Sequence, residues 1–123
     1  MDLYSEIILD YYKNPRNKGP LKDANAYSEE YNPSCGDKIS IQLKIEDNKI
    51  TKANFDGIGC AISQATTSML TEEIIGKTIE EIKAMDTPDI INMLGIEISP
   101  GRIKCALLGL STIKKAIILH KHA

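Results

Sequence analysis

The sequence predicts an α+β fold, because strand-like patterns are confined to its first half and helix signals fill the second. Three observations carry this. Ile39, Ile41, Leu43 and Ile45 alternate strictly with Lys38, Ser40, Gln42 and Lys44, the period of a half-buried strand. Thr78 with Glu81 three residues on matches a capping box. Thr87-Pro88 and Ser99-Pro100 repeat the start signal in which proline takes the first helical position.

The remaining elements follow in chain order. Leu3, Tyr4, Ile7, Ile8 and Tyr11 recur at helical spacing, so residues 2–13 read as an amphipathic helix. Asn14-Pro15-Arg16-Asn17 stops it, and Gly19-Pro20 continues the loop. Ala26 to Tyr31 reads as a short strand with Tyr27 and Tyr31 on one face; the tyrosines are expected to pack or pair across strands. The turn Asn-Pro-Ser-Cys-Gly-Asp, residues 32–37, then leads into the alternating strand. Asp47-Asn48-Lys49 suits a hairpin turn, and Ile50 to Phe55 the return strand. Gly57-Ile58-Gly59-Cys60 forms a small-residue loop that opens a helix bearing Ala61, Ile62, Ala65, Met69 and Leu70 and ending near Gly76. Short helices are expected from the Thr78 cap to about Met85 and from Thr87-Pro88 to Gly95. A last helix begins at Ser99-Pro100, with Leu107, Leu108, Ile113, Ile117 and Ile118 as its apolar face. No repeat, low-complexity tract or linker interrupts residues 1–123, which are expected to form one domain.

Composition narrows the function classes. A net charge of −2 and a pI near 5.7 argue against a nucleic-acid surface, which needs clustered positive charge. Asp2, Glu6 and Asp10 fall where a signal peptide needs positive charge and an apolar run, and the longest charge-free stretch, Gly57 to Thr71, is too short to span a bilayer. A cytoplasmic protein is expected. Its three cysteines, odd in number and far apart, then suit metal or thiol chemistry better than disulfides.

The cysteines share a context. Cys35 sits in a turn of Asn, Pro and Gly, Cys60 at a helix start after Gly-x-Gly, and Cys105 in the first turns of the last helix. Free amides and the dipole at a helix N-terminus favour a thiolate, the nucleophilic and metal-binding form. Three thiolates and the carboxylate of Asp37 would supply four donors, compatible with zinc or an iron–sulfur cluster. The residues alone equally allow three unrelated buried thiols with Asp37 as a turn former, since the cysteine spacings match no short metal signature. His120 and His122 read as a frayed polar tail, and no histidine lies in the body of the chain to serve a Ser or Cys hydrolase.

Taken together, YSEIILDYYKNPRNKG at 4–19, NPSCGD at 32–37, GIGCAIS at 57–63 and GRIKCALLGL at 101–110 resemble the U-type iron–sulfur cluster assembly scaffolds, the family of IscU, SufU and the N-terminal domain of NifU. The pieces occur in the family's order and cover essentially the whole chain. The resemblance implies a three-stranded antiparallel sheet with helices packed on it, and a site at one end. Position by position it makes Cys35, Asp37, Cys60 and Cys105 the ligands of a metal or cluster. It implies a cysteine desulfurase that delivers persulfide sulfur to Cys35 or Cys105, a source of iron and electrons, a [2Fe–2S] cluster, and apo acceptor proteins that receive it; a homodimer is also compatible. Such a scaffold is not a classical enzyme. Two departures mark this chain. Lys104 stands where the IscU branch has histidine, which points to the SufU branch, whose members bind Zn2+ and accept sulfur as sulfurtransferases. Thr71 to Pro100, however, leaves no room for the insertion of that branch. Ile98-Ser99-Pro100-Gly101-Arg102 also replaces the Leu-Pro-Pro-Val-Lys motif read by an Hsp70-type chaperone. Lys104 would favour thiolates electrostatically if it faces the site.

Overall fold

The computed structural model describes residues 6–34 and 36–121. Its centre is β2 (Asp37–Glu46), the middle strand of an antiparallel sheet between β1 (Ala26–Asn32) and β3 (Lys49–Ile58). The alternation of β2 sends Ile39, Ile41, Leu43 and Ile45 inward, into one core with Ala26, Ile50, Ala53 and Phe55. The outer face leaves Tyr27 and Tyr31 exposed, so these two rings are not packing groups as expected. Asp47 (φ 51°) and Asn48 (φ 65°) form the hairpin turn in the left-handed region that a two-residue type I′ turn demands and that these short polar residues tolerate.

Strand β3 runs three residues past the expected end at Phe55. Gly57 and Ile58 pair with Ile39 and Lys38 and are not loop. Glycine is rare in strands, which hides this from the sequence; here it permits close approach, since a Cβ at Gly57 would lie 2.5 Å from the Lys38 carbonyl oxygen. The free edge of β3 is covered by the segment after the first helix: Phe55 N–H donates to the Asn17 carbonyl and Gly19 N–H to the Phe55 carbonyl, both at 2.9 Å. Where the β2–β3 register shifts at Lys44/Ile45, the Asn25 carboxamide donates to the Ile45 carbonyl at 2.9 Å and accepts from its N–H at 2.8 Å.

Five helices pack on the inner face and around it: α1 (Glu6–Lys13), α2 (Ala61–Glu73), α3 (Ile79–Ala84), α4 (Thr87–Leu94) and α5 (Ile103–Lys121). Leu3 and Tyr4 of the expected first helix lie outside the described residues. In α1, Ile8 enters the core, but Ile7 is 54% exposed, so the apolar stripe is narrower than its spacing suggests. Helix α5 lies across β1 and β2, and α2 is enclosed by α1, α5 and β3. That enclosure explains its unusual composition. Ser63, Gln64, Thr66, Thr67, Ser68 and Thr71 are all buried, because only small or unbranched polar side chains let three neighbours approach one helix. Their hydroxyls are served mostly by the helix itself, as where Thr67 Oγ1 donates to the Ser63 carbonyl at 2.7 Å and Thr71 Oγ1 to that of Ser68 at 2.6 Å.

The helix boundaries follow local chemistry. Both hydrogen bonds of the Thr78–Glu81 capping box are present. For α4 the cap is Asp86, one residue before the expected Thr87. Its carboxylate accepts from Thr87 N–H at 2.8 Å, and Asp89 returns a bond to Asp86 N–H at 2.8 Å, so the acidic pair outcompetes the threonine hydroxyl. Gly95 closes α4 at φ 68°. Ser99 opens a 3-10 turn, Pro100–Arg102, with no side-chain cap bond, and the α-helix proper starts at Ile103. Ile118 points to solvent, off the apolar face expected for α5. His120 belongs to the last turn, not to a frayed tail, with its Nδ1 2.9 Å from the Asn25 carbonyl oxygen; His122 lies outside the described residues.

Gly109 lets α5 approach α2 closely, since a Cβ there would stand 2.4 Å from Thr67 Oγ1 and 3.3 Å from Thr67 Cα. Gly109→Ala gains about 1 kcal/mol in helix propensity and loses up to about 3 kcal/mol by overpacking. The clash decides the sign: urea denaturation should show a net loss of about 1–2 kcal/mol, whereas the exposed Ser111→Ala on the same helix leaves the midpoint within about 0.5 kcal/mol.

Candidate metal centre

Three of the four expected ligands converge. One oxygen of Asp37 and the sulfurs of Cys60 and Cys105 lie within 4.8 Å of one another, the only such group of potential ligands among the described residues. They come from the first residue of β2, the residue before α2 and the third residue of α5. Two thiolates bound to one tetrahedral zinc at about 2.3 Å would stand about 3.8 Å apart. The oxygen–sulfur pair is already near such a spacing, with Asp37 Oδ2 3.5 Å from Cys60 Sγ. Two soft sulfurs and one oxygen, mostly out of water, form a donor set that fits zinc or iron–sulfur iron.

Asp37 lies in β2 and is not a turn former, the alternative that the residues alone left open. It is fully buried (0% exposed), pairs with Asn32 as the first rung of the β1–β2 ladder, and aims its carboxylate at α2. Asp37 Oδ1 accepts the backbone N–H of Cys60 at 2.8 Å, and Oδ2 lies 3.5 Å from Cys60 Sγ. The N-terminal amides of a helix lack carbonyl partners, so the carboxylate meets a donor that would otherwise be orphaned. Cys60 is itself the N-cap of α2, its sulfur accepting from Ser63 N–H at 3.5 Å.

Gly59 makes this meeting possible. At φ 137°, a Cβ on it would fall 2.1 Å from Asp37 Oδ1, inside the carboxylate. The glycines at 57 and 59 thus serve contact with β2 and with Asp37 before any bound object. Gly36, at φ 70°, turns the chain back so that its N–H reaches the Asn32 carbonyl at 2.9 Å; Ser34 N–H bonds to Asn32 Oδ1 at 3.0 Å. Cys35, between them, lies outside the described residues.

An open cleft of about 360 Å³ leads to the thiols, lined by Asn32, Ser34, Cys60, Gly101, Arg102, Lys104 and Cys105. Lys104 therefore borders the site, though its side chain is exposed. Cys60 is half-buried and Cys105 is 1% exposed, so the cleft gives freer access to Cys60. A larger cavity of about 520 Å³ lies elsewhere, between α1, α2 and α4, and is lined by Tyr11, three methionines and several carboxylates. It holds no thiol and no part of this donor set. Asn32, Ser34 and Arg102 are cleft residues that the sequence reading passed over; their signal was adjacency to Cys35 and Cys105.

A buried carboxylate and two helix-start thiols, gathered where a three-stranded sheet meets its helices, make a small α+β domain with a donor group that could hold a metal ion. The chain belongs to the family described as the NifU-like N terminal domain, which matches residues 3–123. It is 38% identical to the zinc-dependent sulfurtransferase SufU of Bacillus subtilis, over 94% of this chain and 89% of that protein. It is also 38% identical to the iron–sulfur cluster assembly scaffold protein IscU of Escherichia coli K12, over 96% of this chain and 94% of that one. Among solved structures, a candidate iron–sulfur cluster assembly scaffold for the SUF system from Fervidobacterium islandicum AW-1 matches with a TM-score of 0.80 at 36% identity, covering 94% of this chain and 96% of that chain. The alignment with the B. subtilis protein extends over 132 positions, more than the 123 residues here, whereas that with the E. coli protein extends over 122. Insertions present in the former are therefore absent from this chain.

Gly59→Ala tests the carboxylate. It should displace Asp37 from the Cys60 amide and weaken zinc or cobalt binding at least about tenfold, with the far-ultraviolet circular dichroism unchanged. Wild-type affinity in a folded variant would remove Asp37 from the donor set.

Proposed function

We propose that this chain is a scaffold on which a [2Fe–2S] cluster is assembled from iron and desulfurase-delivered sulfur and then passed to acceptor proteins. The observation that carries the reading is the convergence of Asp37, Cys60 and Cys105 within 4.8 Å, with both cysteines lining an open cleft. Cys35, two residues before Asp37, is the proposed fourth ligand and completes the set that cluster irons require. The cluster is cargo, so the site should hold it without trapping it, and a hard carboxylate among soft thiolates suits release. The partners proposed are a cysteine desulfurase, a donor of iron and electrons, and apo acceptors. Residues 1–123 are proposed to act as one unit, in the cytoplasm. Among the described residues no helix is long and apolar enough to cross a membrane.

Sulfur arrives by exchange. A scaffold thiolate attacks the outer sulfur of the desulfurase persulfide; the S–S bond breaks, the desulfurase thiolate leaves, and the persulfide now sits on the scaffold. Burial of Cys105 argues against its meeting a partner's persulfide directly in this conformation. That favours Cys35 of the two candidates. Lys104 on the cleft wall would stabilise the arriving anionic sulfur electrostatically; as an ammonium it has no lone pair with which to ligate.

A second reading is a zinc-dependent sulfurtransferase, favoured by the B. subtilis relative of that name and by Lys104 preceding Cys105. Cys35, Asp37, Cys60 and Cys105 would then hold a resident Zn2+, which would keep the thiols deprotonated and ordered. Anaerobic reconstitution with iron, cysteine and a desulfurase separates the two. The scaffold should develop the visible absorption of a [2Fe–2S] species, and a zinc complex that refuses iron under those conditions would exclude it. In the sulfurtransferase reading the protein multiplies desulfurase turnover instead, and Cys35→Ala abolishes that gain.

A further inference from the structure

One turn beyond Cys60, Gln64 is buried to 6% exposure with neither amide atom hydrogen-bonded to any described residue. Ser28 and Thr66 each leave a buried hydroxyl unpaired, but Gln64 leaves both a donor and an acceptor. A buried amide without partners destabilises a fold, and an apolar side chain of the same length would remove that cost. Its direction is informative. Gln64 N–H donates to the Cys60 carbonyl at 3.2 Å, placing the two residues on the same face of α2, one turn apart. Helical side chains lean toward the N-terminus and cover the preceding turn. Gln64 does so: a Cβ on Gly57 would be 3.3 Å from its Nε2, which puts the amide behind the Gly57–Cys60 corner. At the same corner, a Cβ on Gly59 would fall 2.1 Å from Asp37 Oδ1.

We propose that Gln64 is a positioning residue of the metal centre, its carboxamide held ready to hydrogen-bond the Asp37 carboxylate or the Cys60 thiolate when these turn onto a bound ion. This rests on the site being a metal or cluster centre, as proposed above. Asp37 Oδ1 is at present occupied by the Cys60 amide. An ion held by both groups would take up their lone pairs, and ligands of a metal normally keep an outer hydrogen bond that fixes their orientation. Gln64, four residues after Cys60, is a buried side-chain amide with no partner among the described residues. The metal-free chain then carries an unsatisfied group whose partner arrives with the metal.

The test compares wild type with Gln64→Met and Gln64→Leu, using zinc by chelator competition, the absorption spectrum of the cobalt(II) form, and thermal melting without metal. Metal-free variants should melt at a higher temperature than wild type, yet bind zinc about 10–100-fold more weakly and show altered cobalt d–d bands. Unchanged affinity and spectrum, with melting moved in either direction, would overturn the proposal and leave Gln64 a packing residue. Should the apolar variants not fold, Gln64→Ala removes both amide atoms without added apolar bulk, and is judged by the same affinity ratio. Failure of the wild type itself to bind zinc or cobalt would reject the metal reading of the site, a result distinct from a loss confined to the variants.

Discussion

The bond from the Cys60 amide to the Asp37 carboxylate is the constraint around which the site is built. It joins the first residue of the central strand to the capping position of the enclosed helix. A carboxylate with no exposure is costly unless several donors meet it. A helix start supplies unpaired amides and a favourable dipole at the place where one is needed. The bond also sets the separation of Asp37 and Cys60, since strand and helix can approach only while residue 59 has no side chain. The sulfur of Cys60 then follows as a geometric consequence, with Cys105 brought in by α5, which packs on both α2 and β2.

Helix α2 is enclosed by structure on three sides and built largely from alanine and small hydroxyl residues. Such a helix buries little apolar area of its own. Its stability is tertiary: the sheet, α1 and α5 must be in place before its hydroxyls and its amide are sheltered from water. Ser68 and Thr71 contribute outward as well, since Ser68 Oγ accepts the Arg16 N–H at 2.7 Å and Thr71 Oγ1 the Asn17 amide at 3.1 Å. The same helix therefore positions the ligand end and anchors the segment that protects the edge of β3.

Elements set by short-range chemistry were readable from the residues. The inward set of β2, the Asp47-Asn48 turn and the Thr78–Glu81 box depend on neighbours within a few positions, and periodicity or side-chain type reports them directly. What escaped depends on distant partners. Gly57 looks like loop because its place in β3 is dictated by the Lys38 carbonyl opposite. Asp37 resembles a turn residue because nothing local announces that α2 will cover it. The helix-start contexts of Cys60 and Cys105 were visible, but their meeting requires α5 to return across the sheet, and no spacing of 45 residues encodes that. Gln64 gave no signal, since a glutamine on a helix is ordinarily solvated.

The three donors are not held with equal stiffness. Asp37 opens β2, paired with Asn32 of β1 and bonded through its carboxylate to the Cys60 amide, so two neighbouring elements brace it. Cys60 caps a helix, and Cys105 follows a single 3-10 turn lacking a side-chain cap bond, both at helix ends of the kind that fray first. The oxygen thus rests on the best-braced backbone of the three. Were the site to receive guests of different diameter, the donors at the helix ends would give way further than the one on the strand.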